Sequence, residues 1–273
     1  MKTIAEIRSL KHLINLEGRV ALVTGGAGHI GSVICDTLAE LGSSIVVLDK
    51  AQETCAQVAN RIETVHGVKT MSLPLDLEDE KKASKIPEQV LNHFGHLDIL
   101  VHCAALVGTS ELEGWNTKFI DQNVDTWRKA LEVNLTAPFV LTQACARALN
   151  ASDHASVITI GSIYGMLGPN LELYQDTSMG NPAAYAASKG GLLQLTRWLA
   201  TVLAPKVRAN AITLGGIWRN QPDEFQRRYV ERTPMKRMAT EEDLKGAIAY
   251  LASDLSAYVT GHNLVVDGGW TVW

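Results

Sequence analysis

The sequence turns on one stretch, Val20-Ala21-Leu22-Val23-Thr24-Gly25-Gly26-Ala27-Gly28-His29-Ile30-Gly31. Val20–Thr24 is apolar on both faces, as suits a strand covered on both sides. A glycine turn after a strand lets backbone amides approach a pyrophosphate without obstruction by a Cβ. The helix beyond adds a favourable dipole. Taken alone, such a turn is equally a plain tight turn, so its context matters. A helical window at Ser32–Leu41 leads to a second strand, Ser44–Asp49. Asp49 lies 49 − 31 = 18 residues after Gly31, close to the spacing of a carboxylate that binds adenosine ribose hydroxyls. It would repel a 2′-phosphate, which favours NAD over NADP, although Lys50 partly offsets that repulsion. The plain alternative for Asp49 is a cap for the helix at Ala51–His66. Asp76, in Leu73-Pro74-Leu75-Asp76-Leu77, either accepts the adenine amino group or caps the next helix.

Outward from that stretch, strands and helices alternate. Further strands are expected at Val68–Leu75, Leu97–Cys103, Ser156–Ile160, Arg208–Leu214 and Leu264–Val266. Helical windows fall at Asp79–Phe94, Thr126–Leu149, Ala183–Leu203 and Glu241–Ser253. Doubly apolar strands each followed by a helix predict an α/β fold: one doubly wound parallel sheet of about seven strands with helices on both faces. With no linker and no repeat, residues 1–273 read as a single domain. Residues 1–17 form a short amphipathic appendage. Residues 165–181 and 215–240 fit no element and read as substrate loops or a lid over the carboxyl ends of the strands.

Apolar residues make up 46% of the chain and charged residues 20%, enough for a sizeable core. A net charge of −4 excludes a general nucleic-acid binder. No apolar run is long enough to span a bilayer, and Glu6, Arg8 and Lys11 interrupt any secretory leader. Cys35, Cys55, Cys103 and Cys145 are scattered without ligand spacing, so no metal is expected and reduced cytoplasmic thiols are.

Tyr185-Ala186-Ala187-Ser188-Lys189 sets a phenol and an ammonium one helical turn apart on one face. A nearby cation stabilises phenolate, so the expectation is a tyrosine pKa pulled down towards neutrality. Such a group can exchange a proton at a carbon–oxygen bond undergoing hydride transfer. Ser162 ends a buried-type strand, and Asn134 is a polar residue in an apolar helical stretch. By themselves these are, respectively, surface decoration, a turn residue and a helix-kinking amide.

Together, in this order, the glycine turn, Asp49, Asn134, Ser162, Tyr185 and Lys189 resemble the short-chain dehydrogenase/reductase family. So do Asn210-Ala211-Ile212 and Tyr258 through Gly269. The resemblance implies a Rossmann-type sheet, an NAD(P) cofactor and usually a tetramer. It implies Tyr185 as acid/base, Ser162 as hydrogen-bond partner of the substrate oxygen, and Lys189 as the group that lowers the tyrosine pKa and holds the nicotinamide ribose. Asn134 would position a relay water. The implied cofactor contacts are Gly25, Gly28, His29, Ile30, Gly31, Asp49, Asp76, Leu77, Ala104, Lys189 and Ile217.

The sequence also departs from that pattern. The spacing of Gly28 and Gly31 around His29 is more like the family's longer sugar-nucleotide branch. His102-Cys103-Ala104-Ala105 stands where the family usually has Asn-Asn-Ala-Gly, and Leu214-Gly215 replaces Pro-Gly. Arg219, where a threonine often follows, either binds a cofactor phosphate or faces water. Ser162 and Tyr185 lie 185 − 162 = 23 residues apart, so an inserted loop must pass over the substrate pocket. Its hydrogen-bonding residues suit a hydroxylated substrate. Six cations against three anions between Arg219 and Arg237 either attract an anionic one or form a solvated helix face. Ile163 to Met166 and the insertion are also loosely similar to a bacterial group of flagellin-modification and nonulosonic-acid sugar dehydrogenases. The expected activity is therefore NAD-dependent interconversion of a secondary alcohol and a ketone on a polar, sugar-like substrate. A 3-oxoacyl thioester reductase and a non-catalytic NAD-sensing module are the alternatives. The terminal Trp270-Thr271-Val272-Trp273 is expected to pack on a neighbouring subunit.

Overall fold

The computed structural model describes residues 7–108 and 110–273. Seven parallel strands run β1 (Val20–Thr24), β2 (Ser44–Asp49), β3 (Thr70–Pro74), β4 (Ile99–His102), β5 (Ser156–Ser162), β6 (Arg208–Leu214) and β7 (Asn263–Val266). Their order across the sheet is β3-β2-β1-β4-β5-β6-β7. Alternate residues of each strand enter opposite layers, as the pleat requires. Ala21, Val23, Ile45 and Val47 pack on α2 (His29–Glu40), α3 (Gln52–His66) and α10 (Lys245–Ala252). Val20, Leu22, Val46 and Leu48 pack on α5 (Ile86–Phe94), α7 (Ala137–Ala151) and α8 (Ala183–Val202). The chain order reverses between β1 and β4, and the crevice at that switch point is where such sheets bind ligands.

Two helical windows are broken by proline. Asp79–Phe94 divides into α4 (Glu80–Ala83) and α5, with Pro87 in the first turn of α5. Proline has no N–H to give, and its fixed φ suits a helix start. Thr126–Leu149 divides into α6 (Val124–Leu131), a wide π turn at Glu132–Thr136, and α7. Pro138 cannot donate to the carbonyl four residues back, which belongs to Asn134, so the turn opens there.

Residues 215–240 are not all loop. They contain α9 (Asp223–Arg232), whose buried positions are Phe225 and Tyr229, one turn apart. In the appendage, residues 1–6 lie outside the described residues. Beyond them, α1 (Leu10–Ile14) buries nothing, while Leu16 is fully buried and Arg8 pairs with Asp254 at 2.7 Å. At the aromatic end, Trp270 packs within the chain rather than on a neighbour. Trp270 is 3% exposed inside its own chain, stacked on Tyr229 at 5.9 Å, and only Val272 and Trp273 stay open. Among the described residues no helix is long and apolar enough to cross a membrane, and all four cysteines are free.

Candidate active site

The turn after β1 is built for glycine. Gly25 has φ +65°, and a Cβ there would sit 2.7 Å from the Ala104 backbone. A Cβ on Gly31 would sit 2.0 Å from the Gly25 carbonyl oxygen. Gly28 caps α2 without a side-chain hydrogen bond, so no side chain competes for the first-turn amides. Gly25, Gly28, His29, Ile30 and Gly31 line a cavity of about 570 Å³ together with Asp49, Asp76, Leu77 and Ala104. At its far end the Asp49 carboxylate accepts from the Ala27 amide at 3.1 Å and the Lys50 amide at 2.7 Å. The Lys50 ammonium turns away and pairs with Asp76 at 2.7 Å. That pair raises the lysine pKa and lowers that of Asp76. The cation therefore neutralises Asp76, whose carboxylate also accepts from the Glu78 amide, and among the described residues no cation pairs with Asp49.

A second cavity, of about 560 Å³, opens beside it and shares His29, Ile30, Cys103, Ala105, Val107 and Arg219 with the first. The two are one groove along the strand ends. Ser162, Tyr185, Lys189 and Ile217 line the second half. Ser162 is the last residue of β5, and its hydroxyl accepts from the Tyr164 amide at 3.3 Å. Tyr185 and Lys189 project from the first turns of α8, with the Lys189 ammonium 5.8 Å from the Tyr185 ring centre. Lys189 is 4% exposed and donates to the Ile160 carbonyl at 2.8 Å. Burial pulls its pKa down to about 8.

The expected depression of the Tyr185 pKa is not what this arrangement gives. Burial raises it, and a hydrogen bond with Ser162 only partly opposes the rise. The ammonium is spent on the Ile160 carbonyl and does not offset the loss of hydration. Asn134 stands behind the groove wall. It is 1% exposed and does not line the groove. Its amide donates to the Leu106 carbonyl and the Ser188 hydroxyl, both at 3.0 Å, and accepts from the Leu106 amide at 2.7 Å. The side chain fastens the wide turn to α8, one residue from Lys189.

His102 is buried, bonds Thr142 at 2.8 Å, and has its pKa pushed down to about 3 by burial. It is a neutral stitch between β4 and α7. Arg219 faces both halves of the groove. Its Nε pairs with Glu241 at 3.2 Å, while its Nη2 is buried with no partner among the described residues.

The other cations are spoken for. Arg227 pairs with Glu224 and Glu231, and Arg237 with Asp243. Arg232 lies over the Trp270 ring, and Lys236 donates to the Glu231 carbonyl. Of the six cations in the +3 stretch, all but Arg219 are thus engaged by groups of the chain away from the groove. Most polar groups of the insertion also look elsewhere: Glu172, Gln175, Asp176 and Ser178 are exposed, and Asn170 and Thr177 bond within the loop.

What the insertion does contribute was not read from the sequence. Tyr174, Met179 and Asn181 join Ser162, Tyr164, Tyr185, Phe225 and Tyr229 around a third cavity of about 190 Å³. The one local signal was the Phe225/Tyr229 spacing on α9.

A family model described as enoyl-(acyl carrier protein) reductase matches residues 25–271. The 3-oxoacyl-[acyl-carrier-protein] reductase FabG of Escherichia coli (strain K12) is 31% identical over 261 residues, covering 94% of this chain and 98% of that protein. Post-translational flagellin modification protein A of Campylobacter coli is 26% identical over 257 residues, covering 93% and 99%. Among solved structures, a putative NAD(P) dependent gluconate 5-dehydrogenase from Beutenbergia cavernae, with bound NADP, superposes with a TM-score of 0.84 at 30% identity, covering 96% of this chain and 100% of that one. A serine, a tyrosine and a lysine meeting at one end of a dinucleotide-sized groove, on a sheet shared with these proteins, place the chain in the short-chain dehydrogenase/reductase family as an NAD(P)-dependent oxidoreductase.

Proposed function

We propose that the protein interconverts a secondary alcohol and a ketone on a compact hydroxylated, sugar-like substrate, with NAD preferred over NADP. The observation that carries this reading is the convergence of Ser162, Tyr185 and Lys189 on a groove whose other end stops at Asp49. The residues present fit a dinucleotide. The glycine turn leaves no room for a Cβ, α2 presents its amino end, and the buried Nη2 of Arg219 lacks a partner among the described residues. Gly25, Gly28, His29, Ile30 and Gly31 would hold the pyrophosphate and Asp49 the adenosine ribose, with Asp76, Leu77 and Ala104 around the adenine. Lys189 and Ile217 would flank the nicotinamide end.

Bound there, the dinucleotide supplies the hydride or takes it up. The chain does the rest. Tyr185 gives or takes the proton at the substrate oxygen, and Ser162 donates a second hydrogen bond as charge develops on that oxygen. Lys189, with a pKa of about 8, is mostly protonated at neutral pH and sets a positive charge beside the phenol. Asn134 keeps α8 in place. Asp49 supports NAD because its carboxylate is not neutralised by Lys50.

A 3-oxoacyl thioester reductase is the second reading, favoured by the likeness to FabG of Escherichia coli. The exposed Trp198, Val202 and Phe139 support assembly through α7 and α8, as in a homotetramer, and the free thiols suit the cytoplasm. Light scattering tests the assembly. For the activity, NAD and NADP binding are compared by calorimetry, then alcohols are screened for NADH formation with wild type and Tyr185→Phe. The expectation is tighter NAD, turnover of hydroxylated alcohols, and a loss of at least about a hundredfold in kcat for the variant with NAD binding kept. NADPH-only turnover of an acetoacetyl thioester would instead establish the second reading.

A further inference from the structure

The third cavity carries information that the reactive residues do not. Its volume, about 190 Å³, is room for roughly six bodies the size of a water molecule at about 30 Å³ each, or one six-membered ring. One wall is aromatic: Tyr174 lies 5.5 Å from Phe225, and Phe225 stacks on Tyr229 at 5.9 Å. Ile163, Met179 and Leu214 complete an apolar lining. Among the described residues no charged side chain borders it.

Its polar groups are few and neutral. The hydroxyls of Tyr164 and Tyr174 bond each other at 2.5 Å, and Tyr229 accepts from the Gly216 amide. Burial raises the pKa of all three phenols, so they stay uncharged. Asn181 differs from them. Its side chain reaches the Tyr164 and Tyr174 phenols, where it opposes the rise in their pKa, yet its Oδ1 is buried and, among the described residues, has no hydrogen-bond donor. A buried acceptor left without a donor is costly, and native structures rarely keep one unless something else supplies the bond.

We propose that this chamber selects an uncharged, ring-sized substrate that lies against the Phe225–Tyr229 wall and donates a hydroxyl to Asn181, and that it rejects carboxylates. The proposal rests on the oxidoreductase reading and names its substrate class. A carboxylate would leave water for a space without a cation and would meet the Asn181 oxygen with another acceptor. A ring without a hydroxyl would leave that oxygen as it stands. Sites built around a buried hydrogen bond discriminate most strongly against the analogue that lacks it. Asn181 is thus assigned as a specificity-determining residue, separate from Ser162 and Tyr185.

The test is calorimetric binding to the protein saturated with the tetrahydro analogue of NADH or NADPH, whichever binds tighter, which transfers no hydride, so that the heats report binding alone. Three ketones serve as probes: 4-hydroxycyclohexanone, cyclohexanone and 4-oxocyclohexanecarboxylate. The hydroxyketone should bind at least about fivefold tighter than cyclohexanone and at least about tenfold tighter than the carboxylate. In Asn181→Leu the hydroxyl preference should fall to within about twofold while cyclohexanone binding holds or improves, an outcome a misfolded variant cannot give. The proposal is overturned by a carboxylate that binds as well as the hydroxyketone, by equal binding of the two neutral ketones to wild type, or by a preference that survives in Asn181→Leu. Reduced dinucleotide bound with no ketone bound overturns the chamber assignment alone. Failure to bind either dinucleotide removes the oxidoreductase reading and the proposal with it.

Discussion

Replacing Lys189 by methionine should make the protein more stable and nearly inactive. The ammonium sits 4% exposed at the start of α8, and burial lowers its pKa from 10.5 to about 8. That difference of 10.5 − 8 = 2.5 units corresponds to a cost of about 3 kcal/mol for keeping the charged form folded, at about 1.36 kcal/mol per unit. Methionine has a similar reach and no charge. It forfeits the 2.8 Å bond to the Ile160 carbonyl, worth about 1–2 kcal/mol for a charged donor. The net expectation at pH 7 is a gain of about 1–2 kcal/mol.

The pH dependence separates this account from ordinary repacking. A lysine whose pKa falls on folding binds fewer protons in the native state than in the unfolded one between about pH 8 and 10.5. Stability of the parent therefore rises through that window, and the cost is present in full below pH 8. Between pH 7 and pH 9.5 the parent should recover about 2 kcal/mol from this group. Urea midpoints of parent and Lys189→Met at those two pH values measure the effect. The variant should lead at pH 7, and its lead should vanish at pH 9.5. A gap of the same size at both would falsify the claim that folding strips water from a charged lysine. Turnover should drop by at least about a hundredfold, since the positive charge beside Tyr185 is gone.

Three further substitutions test the cofactor groove. Asp49→Ser removes the carboxylate that opposes a 2′-phosphate, so the ratio of NADP to NAD affinity should rise by about tenfold or more; an unchanged ratio in paired calorimetric titrations removes Asp49 from cofactor choice. Arg219→Ala should weaken dinucleotide binding by roughly tenfold, the loss of one charge-assisted hydrogen bond, and parent-like affinity would put the guanidinium in solvent. Gly31→Ala places a Cβ 2.0 Å from the Gly25 carbonyl oxygen, so it should cost at least about 2 kcal/mol by urea denaturation and abolish dinucleotide binding. Retained affinity there would show that the turn is not what shapes the groove.

How far the sequence could be read follows from how local each signal was. Val20–Thr24 and Ser44–Asp49 match their strands residue for residue, because doubly apolar runs bounded by glycine or a carboxylate carry their own limits. The Tyr185/Lys189 pair was legible because a helical turn is a local object. Pro87 and Pro138 break the long helical windows because each starts a new helix, while the apolar period runs on across the break. The direction of the Tyr185 pKa depends on how deeply the phenol is buried between layers, which no spacing encodes. Helix α9 hid for another reason: with only Phe225 and Tyr229 buried and charges nearly everywhere else, its apolar stripe is two residues wide. Trp270 looked unpartnered because its partners, Tyr164 and Tyr229, lie 106 and 41 residues away (270 − 164 and 270 − 229).

The same distant packing changes what the arginines near the pocket are for. Arg228 on α9 donates to the carbonyls of Glu172 at 3.2 Å and Gln175 at 2.5 Å, across to the insertion. Tyr174 of that insertion packs on Phe225 of the same helix at 5.5 Å. The two stretches that read as separate loops thus form one wall, fastened from outside by a guanidinium and from inside by rings. A cation bound to backbone carbonyls at the outer surface is poorly placed to attract an anion into the chamber, and it holds the neutral wall in position. Charge count in this region therefore reports on how the wall is built. Selectivity belongs to the uncharged surface that the wall presents to Ser162 and Tyr185.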